Sequence, residues 1–331
     1  MSRGARVLGI ESTAHTFSAS VVSENDGVVT NAKDVYVPPE GSGIHPAEAA
    51  EHHLSVAVRV VREALEGEGI DEIDAFAYAM GPGLGPCLRV GAVTARALSL
   101  STGKPLVAVN HAVGHIELGC LLTGADTPLV LLISGGHTMV VAHSEGVWRV
   151  LGETLDLTLG QLLDQLGRSA GFSSPCGREI EEAASKSKRY LKLPYTVKGN
   201  DVSFSGVLTA AKRLVEGGAS FEDACYSVQE TAFAITAEVT ERALAFTGSR
   251  ELLVVGGVAA NRRLAQMLEM MARRHGAAVK VVPPKYSGDC GAQIAWTGLL
   301  AFRSGEFLPS VAGSVVRQSW RLDTVSTPWR G

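Results

Sequence analysis

Hydrophobic residues along the chain fall into short apolar runs that alternate with stretches of helical periodicity. Apolar runs of about four to eight residues bounded by polar or glycine-rich turns are typical of β-strands. Alternation of such strands with helices is typical of α/β proteins. The predicted strands cover residues 6–10, 17–23, 28–37, 74–80, 106–111, 128–133, 139–144, 147–153, 251–255 and 279–284.

The stretches between these strands predict helices. Residues 46–69 are predicted to be helical because the apolar residues Leu54, Val58, Val61 and Leu65 recur at helical spacing. Glycines close this stretch, and glycine is common just past the end of a helix. Further helices are predicted at 90–103, from 111 onward, across the region that ends near 246, after 256 and at 290–305.

The order of predicted elements repeats once along the chain. Each half opens with a strand, a turn and a second strand, and then alternates helices with strands. This order predicts two related α/β domains with a cleft between them, and residues 121–128 are expected to form the hinge. Junctions in both halves, at 9–16, 131–138 and 254–263, would present backbone N–H groups to a phosphate, with ordinary tight turns as the alternative.

The composition is that of a folded protein of about two domains. The 331 residues are 46% hydrophobic, and the net charge of −4 gives no overall attraction to nucleic acid, so such binding would need local basic patches. Five scattered cysteines without a CxxC pair argue against a disulfide framework and favour a reducing cytoplasm. No signal peptide and no apolar run of about 18 residues is recognised, so no membrane contact is expected.

The stretch VNHAVGHIELG places two histidines, His111 and His115, four positions apart. On a helix these side chains lie one above the other, where two imidazoles can share one metal ion. Zinc proteases use this spacing with a glutamate after the first histidine, but Ala112 stands there. By itself the spacing leaves three interpretations open, which are a metal pair, a protease motif and two ordinary helix residues.

Further motifs occur in order along almost the whole chain. They include GIESTAHT, GPGLGPCLRVGA, VNHAVGHIE, ISGGHT, GETLDLTLGQLLDQLGR, VVGGVAANRRL and SGDCGAQIAWTG. With these motifs the chain resembles the universal threonylcarbamoyl-transferase family that modifies tRNA, formerly called O-sialoglycoprotein endopeptidases. It is most similar to the archaeal and eukaryotic branch, whose members work in the KEOPS complex.

The resemblance implies a fold and a division of the chain. Members of the family have an α/β fold of two RNase H-like domains, the actin, Hsp70 and sugar kinase (ASKHA) fold, with a nucleotide cleft between the domains. On this chain the N-terminal lobe is expected at 1–125, completed by 300–331, and the C-terminal lobe at 126–299.

The resemblance also implies a reaction and partners. The reaction is transfer of a threonylcarbamoyl group from threonylcarbamoyl-AMP to N6 of the adenosine next to the anticodon, in tRNAs that read codons beginning with A. The expected KEOPS-type partners are a small protein kinase, a dimerising subunit and an accessory subunit, all in the cytoplasm. A metalloprotease and a nucleotide-responsive scaffold without catalysis are the alternatives.

The family's site residues match positions of this chain. His111, His115 and Asp289 match the ligands of one divalent metal ion, expected to be iron with zinc as the alternative, and Mg would accompany the nucleotide. Leu132 stands where archaeal relatives often have a tyrosine ligand, so water or substrate is expected at that position. The resemblance does not assign a general base. The nucleotide-binding positions are Leu132, Ile133, Ser134, Gly135, Gly136, Asp164, Gly177, Glu181 and Asn261.

Several of these residues also have ordinary structural interpretations. Asp289 and Asn261 each precede a predicted helix, where the side chain would serve as an N-cap. Asp164 and Glu181 would be solvated helix charges without the family match, but their carboxylates also suit the hydroxyl groups of a ribose.

Two further groups of polar residues are candidates for contacts with substrate. Glu11, Thr13 and His15 lie on the first loop, where they would reach a phosphate or the metal. The run KSKRYLK at 186–192 is the main candidate for contact with tRNA, followed by 262–263. A run of charges otherwise forms a solvated face of the protein.

Overall fold

Two β-sheets organise residues 4–331, the part of the chain that the computed structural model describes; residues 1–3 of the first predicted lobe lie outside it. The strands of the first sheet are β1 (Arg6–Glu11), β2 (Thr16–Ser23), β3 (Gly27–Val28), β4 (Ala32–Val35), β5 (Ala75–Gly81) and β6 (Leu106–Asn110). Their order is β3-β2-β1-β5-β6, and β4 also pairs with β2. β1 is antiparallel to β2 and parallel to β5, which is parallel to β6.

The prediction of one strand at 28–37 is wrong, because β3 and β4 are separate strands of two and four residues. The backbone N–H groups of Val29 and Thr30 both donate to the carbonyl of Val21, at 2.9 and 3.2 Å. One carbonyl that faces two residues interrupts the regular antiparallel register. The hydroxyl of Thr30 donates to the carbonyl of Ala64 at 2.7 Å, which ties this break to the helix that follows.

Three helices belong to the first half, α1 (Pro46–Ala64), α2 (Gly85–Thr102) and α3 (His111–Thr123). Helix α1 is confirmed, but two of the apolar residues that predicted it face solvent, since Leu54 and Val58 are 66% and 70% exposed. Its buried face carries alanines together with His53, Val60 and Val61. Small alanine side chains let α1 pack closely on β2 and α2, so the larger apolar residues are not needed in that contact.

Glycines in the left-handed conformation terminate two of these helices. Gly103 follows α2 with a φ of 70°, as the sequence predicts. Gly124 follows α3 with a φ of 63°, so the first residues of the predicted hinge at 121–128 are helical. Glycine lacks a Cβ and adopts this conformation without strain.

The second half contains seven strands and seven helices. The strands are β7 (Leu129–Ile133), β8 (Thr138–Ser144), β9 (Val147–Glu153), β10 (Val197–Lys198), β11 (Asp201–Val202), β12 (Glu251–Val255) and β13 (Ala278–Val281). The helices are α4 (Leu159–Ser169), α5 (Gly177–Ser185), α6 (Ser205–Glu216), α7 (Phe221–Thr247), α8 (Arg262–Arg274), α9 (Pro284–Ser287) and α10 (Gly291–Arg303). Strands β10 and β11 form a small hairpin of their own.

The two main sheets share one topology. The second sheet has the order β13-β12-β7-β8-β9, with β7, β8 and β9 antiparallel and β7, β12 and β13 parallel. In both sheets an antiparallel part built from the first strands continues into two parallel strands added later along the chain. This repetition confirms the prediction of two related α/β halves.

Helix α10 packs on the first sheet although it follows the strands of the second. Glycines permit this close contact. A Cβ atom on Gly9 of β1 would overlap the backbone of Ala295, and one on Gly291 would overlap the backbone of Ala19. The predicted lobe boundary at 299 falls within α10, and the division of the chain into lobes stays a prediction.

The C-terminal residues connect α3 to the second sheet. Arg330 donates from Nε and Nη2 to the two carboxylate oxygens of Glu117 on α3, each at 2.7 Å. Its guanidinium lies 4.8 Å from the ring centre of Trp148 on β9, and the indole N–H of Trp148 donates to Glu117 at 3.2 Å. The side chains of Arg330 and Glu117 are only 11% and 3% exposed, so water does not screen this ion pair.

Replacing Gly9 by alanine is expected to destabilise the protein, because the added methyl group meets the backbone of α10, which cannot rotate away. Overpacking of this kind lowers the free energy of unfolding by about 1–3 kcal/mol. Denaturant unfolding of Gly9→Ala measures the loss. Gly313→Ala is the control, since a Cβ there meets only one leucine methyl group at 4.0 Å, and an equal loss in both variants would contradict the packing account.

Replacing Arg330 by alanine leaves the buried carboxylate of Glu117 without its cation. Breaking a buried ion pair in this way costs about 3–5 kcal/mol of unfolding free energy. Arg178→Ala removes an arginine that is 87% exposed and paired with Glu182 one helical turn away, so almost no change in unfolding free energy is expected because water screens this pair. Denaturant unfolding of both variants measures the two losses of unfolding free energy. Similar losses would show that the buried Arg330–Glu117 pair stabilises the protein no more than an exposed pair.

Candidate metal centre and nucleotide cleft

Strand β6 leads directly into α3 and thereby places both histidines in the first turns of a buried helix. The side-chain oxygen of Asn110 caps α3 by accepting from the backbone N–H groups of Ala112 and Val113, at 3.0 and 3.2 Å. His111 and His115 follow on the same face, with ring centres 4.7 Å apart. The predicted placement of the two imidazoles on one helix face is confirmed, and the rings meet edge to face at 85°.

Asp289 meets these histidines from the other end of the chain. One carboxylate oxygen of Asp289 lies 3.6 Å from Nε2 of His111 and 3.3 Å from Nε2 of His115. The position before α10 predicted an N-cap, but the cap residue is Cys290, and it makes no side-chain cap hydrogen bond. Asp289 is therefore directed at the histidines rather than at the start of the helix.

The three side chains have the character of a metal site. Their ligand atoms all lie within 4.8 Å of one another. Nε2 of His115 is buried and has no hydrogen-bond partner among the described residues, although the Asp289 oxygen is close. A buried nitrogen without a partner is costly in a folded protein, and a metal ion would satisfy it. Two imidazoles and one carboxylate suit zinc or iron.

A second carboxylate orients the first histidine. Glu11, at the end of β1, is fully buried and lies 2.8 Å from Nδ1 of His111. The backbone N–H of Thr13 donates to Glu11 at 2.6 Å, and the amide of Gln293 donates to it at 3.2 Å. A proton on Nδ1 shared with Glu11 leaves the lone pair of Nε2 facing Asp289, as a metal ligand requires.

The charges within this cluster are strongly coupled. Burial lowers the pKa of His111, but the carboxylates of Glu11 and Asp289 outweigh burial and raise this pKa to about 9. Burial lowers the pKa of His115. Burial would raise the pKa of Asp289, yet the two histidines hold it below its usual value. A metal cation would replace a proton between the same groups, so binding would release protons.

The SGG loop connects β7 to β8 beside this cluster. The hydroxyl oxygen of Ser134 accepts from the N–H groups of Gly136 and His137, at 3.2 and 3.0 Å. Gly135 and Gly136 are exposed and present backbone without side chains. Leu132 is fully buried in β7 among apolar residues, so its side chain packs in the core, and its predicted contact with the nucleotide stays a prediction.

His137, at the end of the SGG loop, was not among the site residues predicted from the sequence. Its ring stacks on that of His111 with centres 6.2 Å apart and an angle of 27°. Its Nδ1 is buried without a partner among the described residues. Burial, followed by the charges of His111 and His115, lowers the pKa of His137 to about 3, so this imidazole is neutral. The motif ISGGHT contains this histidine, but its contact with His111 on α3 depends on the tertiary fold.

The other nucleotide-binding candidates lie on helices of the second half. Asp164 on α4 accepts from the backbone N–H of Cys176 at 2.7 Å, and burial raises its pKa. Gly177 opens α5, and a Cβ added there would meet nothing within 4 Å. Glu181 on α5 accepts from the side chain of Arg262 at 2.9 Å. Asp164 and Glu181 thus have hydrogen-bond partners within the protein, whereas Gly177 borders open space. The contacts of all three with the nucleotide stay predictions.

Asn261 serves as the N-cap that its position predicted. Its side-chain oxygen accepts from the N–H groups of Arg263 and Leu264, at 3.0 and 3.1 Å, and its amide donates to Gln229 at 2.8 Å. These bonds use the side-chain oxygen twice and one of the two amide hydrogens. A contact with adenine or ribose stays a prediction and would involve the second amide hydrogen or exchange of one of these bonds.

Residues 27–296 match the family TsaD, tRNA N6-adenosine threonylcarbamoyltransferase. The chain belongs to this family. Proteins named tRNA N6-adenosine threonylcarbamoyltransferase from Caldivirga maquilingensis and Thermofilum pendens are each 50% identical to it, and the alignments cover 98% and 99% of this chain and 98% of each relative. A probable bifunctional tRNA threonylcarbamoyladenosine biosynthesis protein from Methanothermobacter thermautotrophicus is 48% identical over 97% of this chain and 60% of its own length. The predicted recognition and transferase activity on tRNA are confirmed.

Solved structures support the predicted fold. HypF from T. kodakarensis superposes with a TM-score of 0.65 at 15% identity, over 91% of this chain and 48% of that chain. The activator of 2-hydroxyisocaproyl-CoA dehydratase from Clostridium difficile superposes with a TM-score of 0.56 at 11% identity, over 91% and 97%. The protein has the two-domain ASKHA fold. Among the described residues, no helix is long and apolar enough to cross a membrane.

Replacing Glu11 by glutamine keeps the shape of the side chain but removes the charge that orients His111. Loss of such an outer carboxylate typically weakens metal binding by about 10–100-fold. Competition between the full chain and a chelator for Zn²⁺ or Fe²⁺ measures the affinity. Glu153→Gln, whose carboxylate pairs with Arg321 on the surface, is the control, and an unchanged affinity of Glu11→Gln would refute the orienting role.

Proposed function

We propose that this transferase moves the threonylcarbamoyl group from threonylcarbamoyl-AMP to N6 of the adenosine next to the anticodon, in tRNAs that read codons beginning with A. The observation that carries the proposal is the buried cluster of His111, His115 and Asp289 beside the SGG loop. A site for a cation next to two exposed glycines, whose backbone a ligand can approach closely, suits a donor that carries a phosphate and an activated acyl group.

The metal site is proposed to hold one divalent ion, iron with zinc as the alternative, bound by His111, His115 and Asp289. When bound, such an ion polarises a carbonyl group or anchors the anionic donor. Glu11 holds His111 in the tautomer that leaves Nε2 free for a ligand. No side chain is assigned as a general base, because the donor is an activated mixed anhydride whose positioning supplies much of the rate.

The remaining candidates are proposed to bind the nucleotide part of the donor. Exposed Gly135 and Gly136 let a phosphate approach the backbone closely, and Mg would accompany the nucleotide. Asp164 and Glu181 would accept hydrogen bonds from ribose hydroxyl groups. Gly177 leaves room beside them, since nothing lies within 4 Å of its missing side chain.

We further propose that the chain works in the cytoplasm in a KEOPS-like complex with a small protein kinase, a dimerising subunit and an accessory subunit. Exposed apolar side chains on α1 and α2, two helices that pack against each other, support association with a protein. Leu54 and Val58 on α1, and Val93 and Leu100 on α2, are between 56% and 70% exposed. Each pair lies on one side of its helix, at spacings of four and seven residues.

Replacing His115 by alanine is expected to abolish both metal binding and transfer. The test combines threonylcarbamoyl-AMP, unmodified tRNA transcript and partner subunits, and follows the modified nucleoside by mass spectrometry. Transfer should fall by about 100-fold or more if the ion contributes several kcal/mol to the transition state. His275→Ala is the matched control, because that imidazole pairs with Glu241 at the end of α8.

Two results would contradict this proposal. Full product formation by a metal-free His115→Ala protein would show that the cluster is not needed for transfer. Absence of product with the metal-loaded wild-type chain and all partners would refute the proposed donor or acceptor. Metal analysis and thermal unfolding of each protein separate loss of the ion from loss of the fold.

A further inference from the structure

Positive charge is concentrated in one segment of an otherwise acidic chain. Residues 186–214 contain seven lysines and arginines but a single acidic residue, Asp201, which gives a formal charge of +6. The whole chain carries −4, so the remainder of the protein is strongly negative. Such a difference in sign between segments is typical of a surface that meets an anionic partner.

Two of these basic residues line one open pocket. The pocket has a volume of about 510 Å³ and lies between the loop that follows α5 and the outer side of α6. Lys192 and Arg213 line it together with the hydroxyl-bearing Ser205 and Thr209. Lys192 and Arg213 are exposed and form no ion pair with any residue in 4–331, so both are available to an external anion.

Two acidic residues that contact this segment, Asp156 and Asp223, are already engaged. Asp223 lies 3.7 Å from Arg189 and accepts from the hydroxyl of Ser187. Asp156 accepts from the hydroxyl of Ser205 and the backbone N–H of Phe204, and so caps the start of α6. The attraction for an anion therefore comes from the lysine and arginine side chains, not from the helix terminus.

Exposed aromatic rings accompany the charges. Tyr190 and Tyr195, on either side of Lys192, are 52% and 50% exposed. Their hydroxyl groups are held by Thr231 and Glu238, which leaves each ring fixed at the surface. Basic side chains interleaved with exposed aromatic rings are typical of surfaces that bind RNA, where phosphates meet the cations and bases stack on the rings.

This surface lies close to the predicted nucleotide-binding residues along the chain. Helix α5 begins at Gly177 and is followed by Lys186, the first residue of the basic segment. Nine helical residues span about 14 Å. The basic segment therefore begins within about 14 Å of Gly177, one of the predicted nucleotide-binding residues.

We propose that the basic face, defined as residues 186–195 with the exposed side of α6, binds the sugar-phosphate backbone of the tRNA substrate outside the reacting nucleotide. Lys192 and Arg213 contact phosphates in the pocket, and Tyr190 and Tyr195 support unpaired bases or sugars. The proposal rests on the proposed function, because that function supplies the RNA. An acidic protein partner would use the same charges but would have no need of the tyrosine rings.

The test compares tRNA binding by the full chain and by the double variant Lys192→Glu/Arg213→Glu. Fluorescence anisotropy with unmodified tRNA transcript is measured over a range of salt concentrations, with and without partner subunits. The affinity is expected to fall by about 10-fold or more at low salt, and the slope of log K against log salt should decrease by about 2. Metal content and unfolding temperature should equal those of the wild type.

The control Lys33→Glu/Arg274→Glu makes the same change in net charge at exposed residues outside the basic face. It should keep wild-type affinity to within about 2-fold, because the contacts are local. Equal tRNA affinity and salt dependence in the wild type and the Lys192→Glu/Arg213→Glu variant would overturn the proposal. This result is also the one expected if the basic face binds an acidic protein instead of tRNA. Failure of the proposed function gives a different result, since the wild-type chain would then form no modified nucleoside in the transfer assay.

Discussion

Close packing of α10 against the first sheet is the constraint on which the candidate site depends. Asp289 precedes this helix by two residues, so the position of α10 determines where its carboxylate points. Side chains at Gly9 or Gly291 would push the helix away from β1 and β2. The hydroxyl of Ser18 accepts from the backbone N–H of Gly291 at 2.8 Å and fixes the start of α10 against the sheet.

The same packing creates a low-dielectric enclosure around the histidines. Glu11 from β1 and Gln293 from α10 both reach His111, and the carboxylate of Glu11 is fully buried while that of Asp289 is only 15% exposed. Electrostatic attraction is strong in such surroundings, which raises the pKa of His111 and would favour a divalent cation in place of its proton. The buried Arg330–Glu117 pair anchors the middle of α3, two residues after His115, so the helix that carries the histidines is also fixed by the C-terminal residues.

Local sequence pattern predicted most elements and part of the site. The spacing of His111 and His115 predicted that both lie on one face of a helix, because residues four positions apart do so on any α-helix. The burial of α1 was not predictable from Leu54 and Val58, since packing through alanines leaves larger apolar residues outside. Contacts of Glu11 and Gln293 with His111 join residues 100 and 182 positions apart, and only the tertiary fold brings them together. For Asn261, by contrast, the sequence position before a helix was enough to predict the N-cap. Its contact with the nucleotide can be seen only in a structure with the ligand bound.

We infer that His111, His115 and Asp289 bind one metal ion at the place where the two halves meet. Anomalous diffraction from crystals of the full chain loaded with Fe²⁺ or Zn²⁺ tests this binding. One anomalous peak is expected within about 2.0–2.2 Å of two imidazole nitrogens and one carboxylate oxygen. A metal-loaded, transfer-competent protein with no peak at these three residues, or with the ion bound elsewhere, would rule out this site.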